Sequence, residues 1–444
     1  MRPERIKEMK PLNIIMASRP HLALITIALL TGCMQPDGSK KTTKTNATIE
    51  VLSKEKSDFV TAPLSGNYNE LLRFNRENSP SVRKARAEFE AAQSAILSSK
   101  GQLGPTLSAN AEDYQLGDLD RSATLQVRQP IWYGGQLNQD VKRAELKAQL
   151  AQLEFEVAQN ASAHKFVTLY FQWLRSISEE KLRQIYLDQL TNVLQDIEKE
   201  FEIGLVGQSE FVDAQIRSDQ SHRRLLLVQS QRQNAFAALE SYILTPQNED
   251  LLYAKRPIIT TTLQRNEDVE KVVSKDPTVL AAKKYVEITE ADILLRRLDG
   301  RPQVDLVAKR QWTGAGGVSD AAGIALNLTI VNPRAKKARI EELENTLNAT
   351  IASVDAARAD LLVNILQAER SLESNNDRIK VLSEIVSRAE DALASAERQK
   401  RAGTGSWDVV ITGITELSEL KVSMSEATMS AYEAAEHLRL YLEN

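Results

Sequence analysis

From about residue 66 the apolar positions recur at helical spacing, and twice the period drops to two. In the first such stretch Thr106, Ser108, Asn110 and Glu112 alternate with Leu107, Ala109 and Ala111. After a Gly117-Asp118 turn, Ala123, Leu125, Val127 and Gln129 alternate with Ser122, Thr124, Gln126 and Arg128. In the second stretch Val304, Leu306 and Ala308 alternate with Asp305, Val307 and Lys309. Gly314-Ala315-Gly316-Gly317 turns the chain, and Ile324, Leu326, Leu328 and Ile330 then alternate with Ala325, Asn327 and Thr329. Four strands of about ten residues, each with one apolar and one polar face, match transmembrane β-strands. Four strands cannot close a membrane barrel, for which about eight is the practical minimum. An open edge in lipid leaves backbone N–H and C=O groups unpaired at several kcal/mol each. Strands must therefore be pooled between copies; two copies give about eight and three about twelve, and this arithmetic does not choose.

Each strand pair is followed by a very long helical run. No proline or glycine lies between Gly135 and Ile203, so the first rod reaches about 105 Å at 1.5 Å per residue. One heptad stripe runs through Leu137, Val141, Ala144, Ala148, Ala151, Phe155 and Ala158. A second runs through Leu146, Leu150, Leu153 and Val157, past polar Asn160 and His164, to Val167, Phe171 and Leu174. The stripes sit about 205° apart, so the rod needs a neighbour on each side, as in a closed ring of helices. A second rod, from Arg334 to Arg401, keeps this spacing at Leu343, Leu347, Thr350, Val354, Ala357, Leu361, Asn364 and Ala368.

The two halves are a direct repeat. Ser79-Pro80 and Asp276-Pro277 each open a helical run, and Gly104-Pro105 and Gly300-Arg301-Pro302 each close one, both proline pairs being offset by about 197 residues. The pattern divides the chain into a leader (1–32), a polar N-terminal tether (33–65), a first repeat (66–245), a connector (246–265) and a second repeat (266–444). The first repeat holds a helix over about 66–102, a β-hairpin over 104–131, the long helix 134–203 and a helix over 209–244. The second holds a helix over about 266–299, a β-hairpin over 302–331, the long helix 334–401 and a helix over 407–443. The connector is expected to be neither helix nor strand and to pack around the rod's middle.

Composition sharpens this picture. The chain has 444 residues, 26% charged and only 5% aromatic, a formal net charge of −4, four histidines and one cysteine. That balance gives no reason to expect nucleic acid as a partner. A lone cysteine excludes a disulfide framework or a thiolate metal cluster. Residues 21–30, HLALITIALL, follow Arg2, Arg5, Lys7, Lys10 and Arg19. This apolar core is too short to span a bilayer and suits a secretory signal peptide. It ends in Leu30-Thr31-Gly32-Cys33, which resembles a bacterial lipobox and nominates Cys33 for acylation. Met34 follows, which by the same resemblance favours sorting to the outer membrane, and Met16 is an alternative start.

Three motifs carry a wider resemblance. They are Gln129-Pro130-Ile131-Trp132-Tyr133-Gly134-Gly135, Ile203-Gly204-Leu205-Val206-Gly207-Gln208-Ser209-Glu210-Phe211-Val212-Asp213-Ala214, and Ala402-Gly403-Thr404-Gly405-Ser406-Trp407-Asp408-Val409-Val410. The first resembles the turn from barrel strand into helix of TolC-family outer-membrane channels, and the others resemble that family's periplasmic tip turns. In the third the glycine stands one residue closer to the acid than in the family pattern, and Thr329-Ile330-Val331-Asn332-Pro333 is a degraded copy of the first without the glycine pair.

The resemblance implies a mostly α protein whose duplicated helical hairpins form a periplasmic α-barrel. It implies four strands per chain pooled into a trimeric transmembrane β-barrel. It further implies a homotrimer acting as a passive export conduit, anchored in outer-membrane lipid. The conduit is opened by a periplasmic adaptor linked to an inner-membrane pump of the RND or ABC type, for protein secretion or small-molecule efflux. By position it nominates Asp408, Glu210 and Asp213 for the gate, with Ile411 in the place matching Asp213, and Leu205, Gly207, Gly403 and Thr404 for adaptor contact. No cofactor or metal is implied.

Catalysis finds no support. His21 lies in the leader, while His164, His222 and His437 lie on separate helical patterns, and no metalloprotease, triad or phosphate-loop signature appears. A periplasmic coiled-coil adaptor or lipoprotein scaffold is the rival reading. Adaptors have a palindromic arrangement around one hairpin, which a direct duplication with four amphipathic strands does not match.

Overall fold

The structure is a computed structural model that describes residues 66–112, 122–257, 259, 269–313, 317–329 and 332–443. The leader, Cys33, the tether, the Gly117-Asp118 turn, Gly314–Gly316, Ile330, Val331 and much of the connector's second half lie outside the described residues.

Uninterrupted helix-forming sequence gives two rods. They are α3 (Gln136–Glu202, 67 residues) and α8 (Pro333–Arg401, 69 residues), each about 100 Å long. The helix expected over 66–102 is in fact two, α1 (Tyr68–Asn78) and α2 (Pro80–Gly101). Ser79 separates them because Pro80 cannot donate to the preceding turn, and the Ser79 hydroxyl instead caps the new helix at Val82 N–H. The second repeat breaks in the same way between α6 (Val269–Lys275) and α7 (Pro277–Leu298), with Asp276 accepting from Thr278 N–H at 2.7 Å. The lower helices are α4 (Gln208–Ile243) and α9 (Trp407–Leu442).

The connector departs from expectation, since it contains a helix, α5 (Glu249–Ala254), capped by Asn248. Leu252 of α5 is buried in the core with Phe166, Tyr170 and Trp173, and the Trp173 indole donates to Glu249 Oε1 at 2.9 Å.

The strands β1 (Thr106–Glu112), β2 (Ser122–Trp132), β3 (Gln303–Thr313) and β4 (Val318–Asn327) form one antiparallel sheet in the order β1-β2-β3-β4. The hairpins of the two repeats thus join through β2 and β3, and β1 and β4 are left as open edges. The register Leu107↔Val127, Val127↔Ala308 and Ala308↔Ala322 aligns the apolar positions of all four strands on one face.

The helices repeat this order. α3 contacts α2 and α4 on one flank and α7 and α9 on the other, and α8 contacts α7 and α9. This matches the two opposed stripes: Leu150, with Leu146 and Leu153 beside it, packs on Ala281 and Ile288 of α7, while the other flank bears the Arg86–Phe155 cation-π contact and the Lys100–Glu145 ion pair to α2. The layer therefore also has two open edges. Val212, Ile216, Leu226 and Leu227 are exposed on α4, and Val363, Val381 and Ile385 on α8. Among the described residues no helix is long and apolar enough to cross a membrane.

Sheet and helices join at a built turn. Gly134 and Gly135 both have positive φ, 60° and 90°. The Arg301 side chain crosses so close to Gly134 that a Cβ there would overlap it, and Arg301 Nη1 donates to Gly134 O at 3.0 Å. Beside it Asp305 is fully buried; one carboxylate oxygen accepts from Tyr133 O–H at 2.7 Å and the other from Asn327 Nδ2 at 3.3 Å. The second repeat lacks the glycines and starts α8 differently, with Asn332 capping Arg334 N–H and Pro333 in the first turn.

Gly134→Ala should cost about 1–2 kcal/mol for the left-handed backbone alone, with a further penalty from the Arg301 overlap. A lowered thermal midpoint is expected, whereas Gly323→Ala, at ordinary φ with open space around it, should leave the midpoint unchanged.

Candidate functional site at the two helical tips

Each rod ends where a glycine takes a backbone that side chains resist. Gly204 has φ 76° after α3, and Gly403 has φ 74° after α8. Two closing hydrogen bonds match: Gly204 N–H to Phe201 O and Leu205 N–H to Glu200 O, against Gly403 N–H to Lys400 O and Thr404 N–H to Gln399 O, and the second tip adds Gly405 N–H to Gln399 O. Residues 204–207 then lead into α4 and 403–406 into α9. The two turns therefore have the same length. The two tips differ in that the acid of the second stands one position earlier in its helix: Asp408 is the second residue of α9, while Glu210 is the third of α4. The place matching Asp213 is accordingly Thr412; the expected Ile411 is instead buried in the core.

Leu205 is 73% exposed, and Gly207, Gly403 and Thr404 are exposed as well. Above the turns a single apolar cluster unites both repeats, with Ile197, Val206 and Ala214 of the first against Val386, Leu393, Val410, Ile411 and Ile414 of the second. A groove of about 460 Å³ runs beside Asp408 between α8 and α9, floored by Ala389, Ala392, Ala396 and Gly413.

The structure brings two of the three nominated acids together through a residue that the sequence reading missed. Arg217 Nε donates to Asp213 Oδ2 at 2.8 Å, and Arg217 Nη2 donates to Asp408 Oδ1 at 3.0 Å. Arg217 thus ties α4 to α9. Glu210 takes no part in this tie. The spacing Asp213–Arg217 was a legible i,i+4 pair, but its second partner 191 residues away was not.

Two further ties, both reaching α3, join the two repeats. Glu200 Oε2 accepts from Lys400 Nζ and from the Trp407 indole, each at 2.8 Å. Desolvation pushes the Glu200 carboxyl upward, but these two donors prevail and hold it below the usual carboxylate value. Higher up, Arg183 grips Glu419 with both terminal nitrogens at 2.6 and 3.0 Å, and Arg224 adds a third bond at 2.8 Å. The Arg183 bonds hold Glu419 below its usual value against the opposing effect of burial. Among the described residues no cluster of three or more His, Cys, Asp or Glu could hold a metal.

No curated protein sequence matches the chain. Solved structures share its fold at low identity. The outer membrane protein VceC of Vibrio cholerae is 18% identical over 84% of this chain and 95% of its own, with a TM-score of 0.71. A membrane protein from Pseudomonas aeruginosa is 16% identical over 84% and 93%, with a TM-score of 0.73. The MtrE outer membrane channel of Neisseria gonorrhoeae, in its open state, is 16% identical over 84% and 88%, with a TM-score of 0.66. The family model described as outer membrane efflux protein matches residues 71–243 and 269–441, one segment in each repeat, and the chain belongs to that family.

Proposed function

We propose that three copies of the chain pool their strands and rods into one passive conduit, a transmembrane β-barrel continued by an α-helical tunnel. The observation that carries this reading is the shared order of the two layers. Sheet and helices both end in open edges, and the same rotation that pairs β4 with a neighbour's β1 lays α8 against that neighbour's α2 and α4. Three copies supply about twelve strands, enough for a water-filled barrel. Asp408, Asp213 and Glu210 would then ring the narrow end, where carboxylates favour cations. The exposed Leu205, Gly207, Gly403 and Thr404 would meet a periplasmic adaptor coupled to an inner-membrane RND or ABC pump. Acyl chains on Cys33 would fix the chain to the outer membrane.

The lipid-facing band has visible limits. Trp132 pairs with Val304, and Trp312 stands on the same face eight residues further along β3. That is about 27 Å along the strand, or about 20 Å along the membrane normal at a 40° tilt. Aromatic rings at both ends of an apolar band mark the two interfaces. The bidentate Arg310–Asp320 pair lies on this face beside Trp312, at the outer end.

Gate opening in this reading breaks the Arg217–Asp408 tie. Both side chains are partly exposed, so each tie is worth about 0.2–1 kcal/mol. Three ties broken in one concerted step correspond to a rise in open fraction of roughly 3- to 150-fold. Arg217→Ala is expected to raise planar-bilayer conductance accordingly, with Arg73→Ala, in an isolated surface pair, as the inert control; unchanged conductance would remove the gate assignment. Asp408→Asn keeps an acceptor but loses the charge, so the reversal potential under a salt gradient should shift toward weaker cation selectivity. Brominated lipids should quench Trp132 and Trp312 most strongly when the bromine lies near the headgroups, and equal quenching at every depth would misplace the band. Cys33→Ser should abolish palmitate labelling.

A further inference from the structure

Two histidines with no part in the conduit reading meet halfway along the helical layer. His164 of α3 and His437 of α9 belong to different repeats, yet their Nδ1 atoms lie 2.9 Å apart and their rings stack. His437 Nε2 lies 3.3 Å from Thr168 Oγ1, and Tyr441 packs on His164 with ring centroids 4.3 Å apart. The pair sits between two buried cores, Ala163, Phe166 and Val167 on one side and Ala434 and Leu438 on the other. It also walls an open groove of about 430 Å³ whose α8 side, Asn364, Gln367 and Ser371, carries no charge.

An Nδ1-to-Nδ1 contact is a hydrogen bond only while one ring donates and the other keeps a lone pair. One ring can become charged at its outer nitrogen and still donate. Once both are charged, two N–H groups and two positive charges face each other. The surrounding groups do little to relieve that. Arg76 of α1, bonded to Asn160 one turn away, adds a third positive charge. Glu433 is the carboxylate nearest the pair, 3.8 Å from His437 Nε2, and Arg175 already holds it at 2.9 Å. Tyr441 lies near Asp276, and burial first, then that carboxylate, keep its phenol protonated.

We propose that the His164–His437 pair is a proton-sensitive clasp between the two repeats, closing α3 onto α9 while either ring is neutral and releasing when both are charged. Desolvation, then His437 and Arg76, push the His164 imidazole down to about 4. The sign follows from linkage. A histidine whose folded-state value lies below its unfolded value of 6.5 leaves the joint at full strength above that pH, and the joint weakens as pH falls toward about 4. One proton taken up on opening makes opening up to about tenfold easier per pH unit in that window.

Amide hydrogen exchange on the detergent-solubilised full chain tests this independently of any conductance. Peptides covering 160–175 and 430–441 should open more as pH falls from about 7 to about 4.5, by up to about tenfold per unit after correction for intrinsic exchange. His164→Gln and His437→Gln should each flatten that response. His222→Gln, at an exposed position on α4, should keep it. A wild-type chain without the response, or the same response in both clasp variants, overturns the proposal. Should either variant fold poorly, imidazole NMR of the wild-type chain decides: a His164 resonance titrating near 6.5 overturns it, and one titrating well below that value supports it.

Discussion

Everything in this molecule is organised around edges it cannot cover by itself. β1 and β4 each present a row of backbone donors and acceptors, and in lipid each unpaired group costs several kcal/mol. The helical layer has the same problem in apolar form, with exposed Val, Ile and Leu on α4 and α8. Neither layer can be completed by folding further, because the rods are too long to curl and the sheet too narrow to close. Since the order of strands equals the order of helices, the symmetric association proposed above would cover both sets of edges at once. The junction transmits that registration: Gly134, Arg301 and the buried Asp305 lock the end of β2 to the start of β3, where the two repeats meet.

Strength is distributed unevenly along the rods. The upper and middle parts rest on buried aromatic and aliphatic residues, among them Phe166, Tyr170, Phe171 and Trp173, none of them exposed at all. Each such residue contributes about 1.5–3 kcal/mol of burial. At the tips an apolar cluster persists, and the hydrogen-bonded contacts between α4 and α9 there are ion pairs. Arg217 and Asp408 are half-wet and worth at most about 1 kcal/mol; Arg183–Glu419, which ties α3 to α9, is bidentate and more sheltered and is the firmer tie.

The large elements were legible because they rest on period and punctuation. Two-residue alternation located the strands, an unbroken run without Pro or Gly located α3, and proline pairs located the helix starts. Most of the rest depends on what lies across the fold. α5 is a six-residue helix held by Leu252 and Trp173 rather than by its own pattern. Arg217 showed only its local partner. His164 and His437 were dismissed because 273 positions separate them, and no one-dimensional signal brings them within 2.9 Å. Ile411 was matched to Asp213 by counting from the acids, whereas the turns align from their glycines.

That last misalignment explains why duplication with divergence matters here. Aligned on Gly204 and Gly403, Arg217 corresponds to Glu416 and Asp213 to Thr412. The donor of the tip tie thus exists in the first repeat, and its interrepeat acceptor, Asp408, in the second. Six identical single repeats in a ring would place this tie at every seam or at none. The fused pair places it inside the chain; in the proposed ring of three chains it would fall at alternate seams, and the edges of α4 and α8 would form the others. The two kinds of seam then differ in chemistry. The seam inside the chain carries a salt-screened tie over an apolar cluster; the edge that α8 leaves open shows Val381 and Ile385 among the exposed pairs Lys380–Asp377 and Arg388–Glu384. In the proposed trimer, an end that opens by parting this tie would loosen at three places, one within each chain, and leave the three seams between chains untouched.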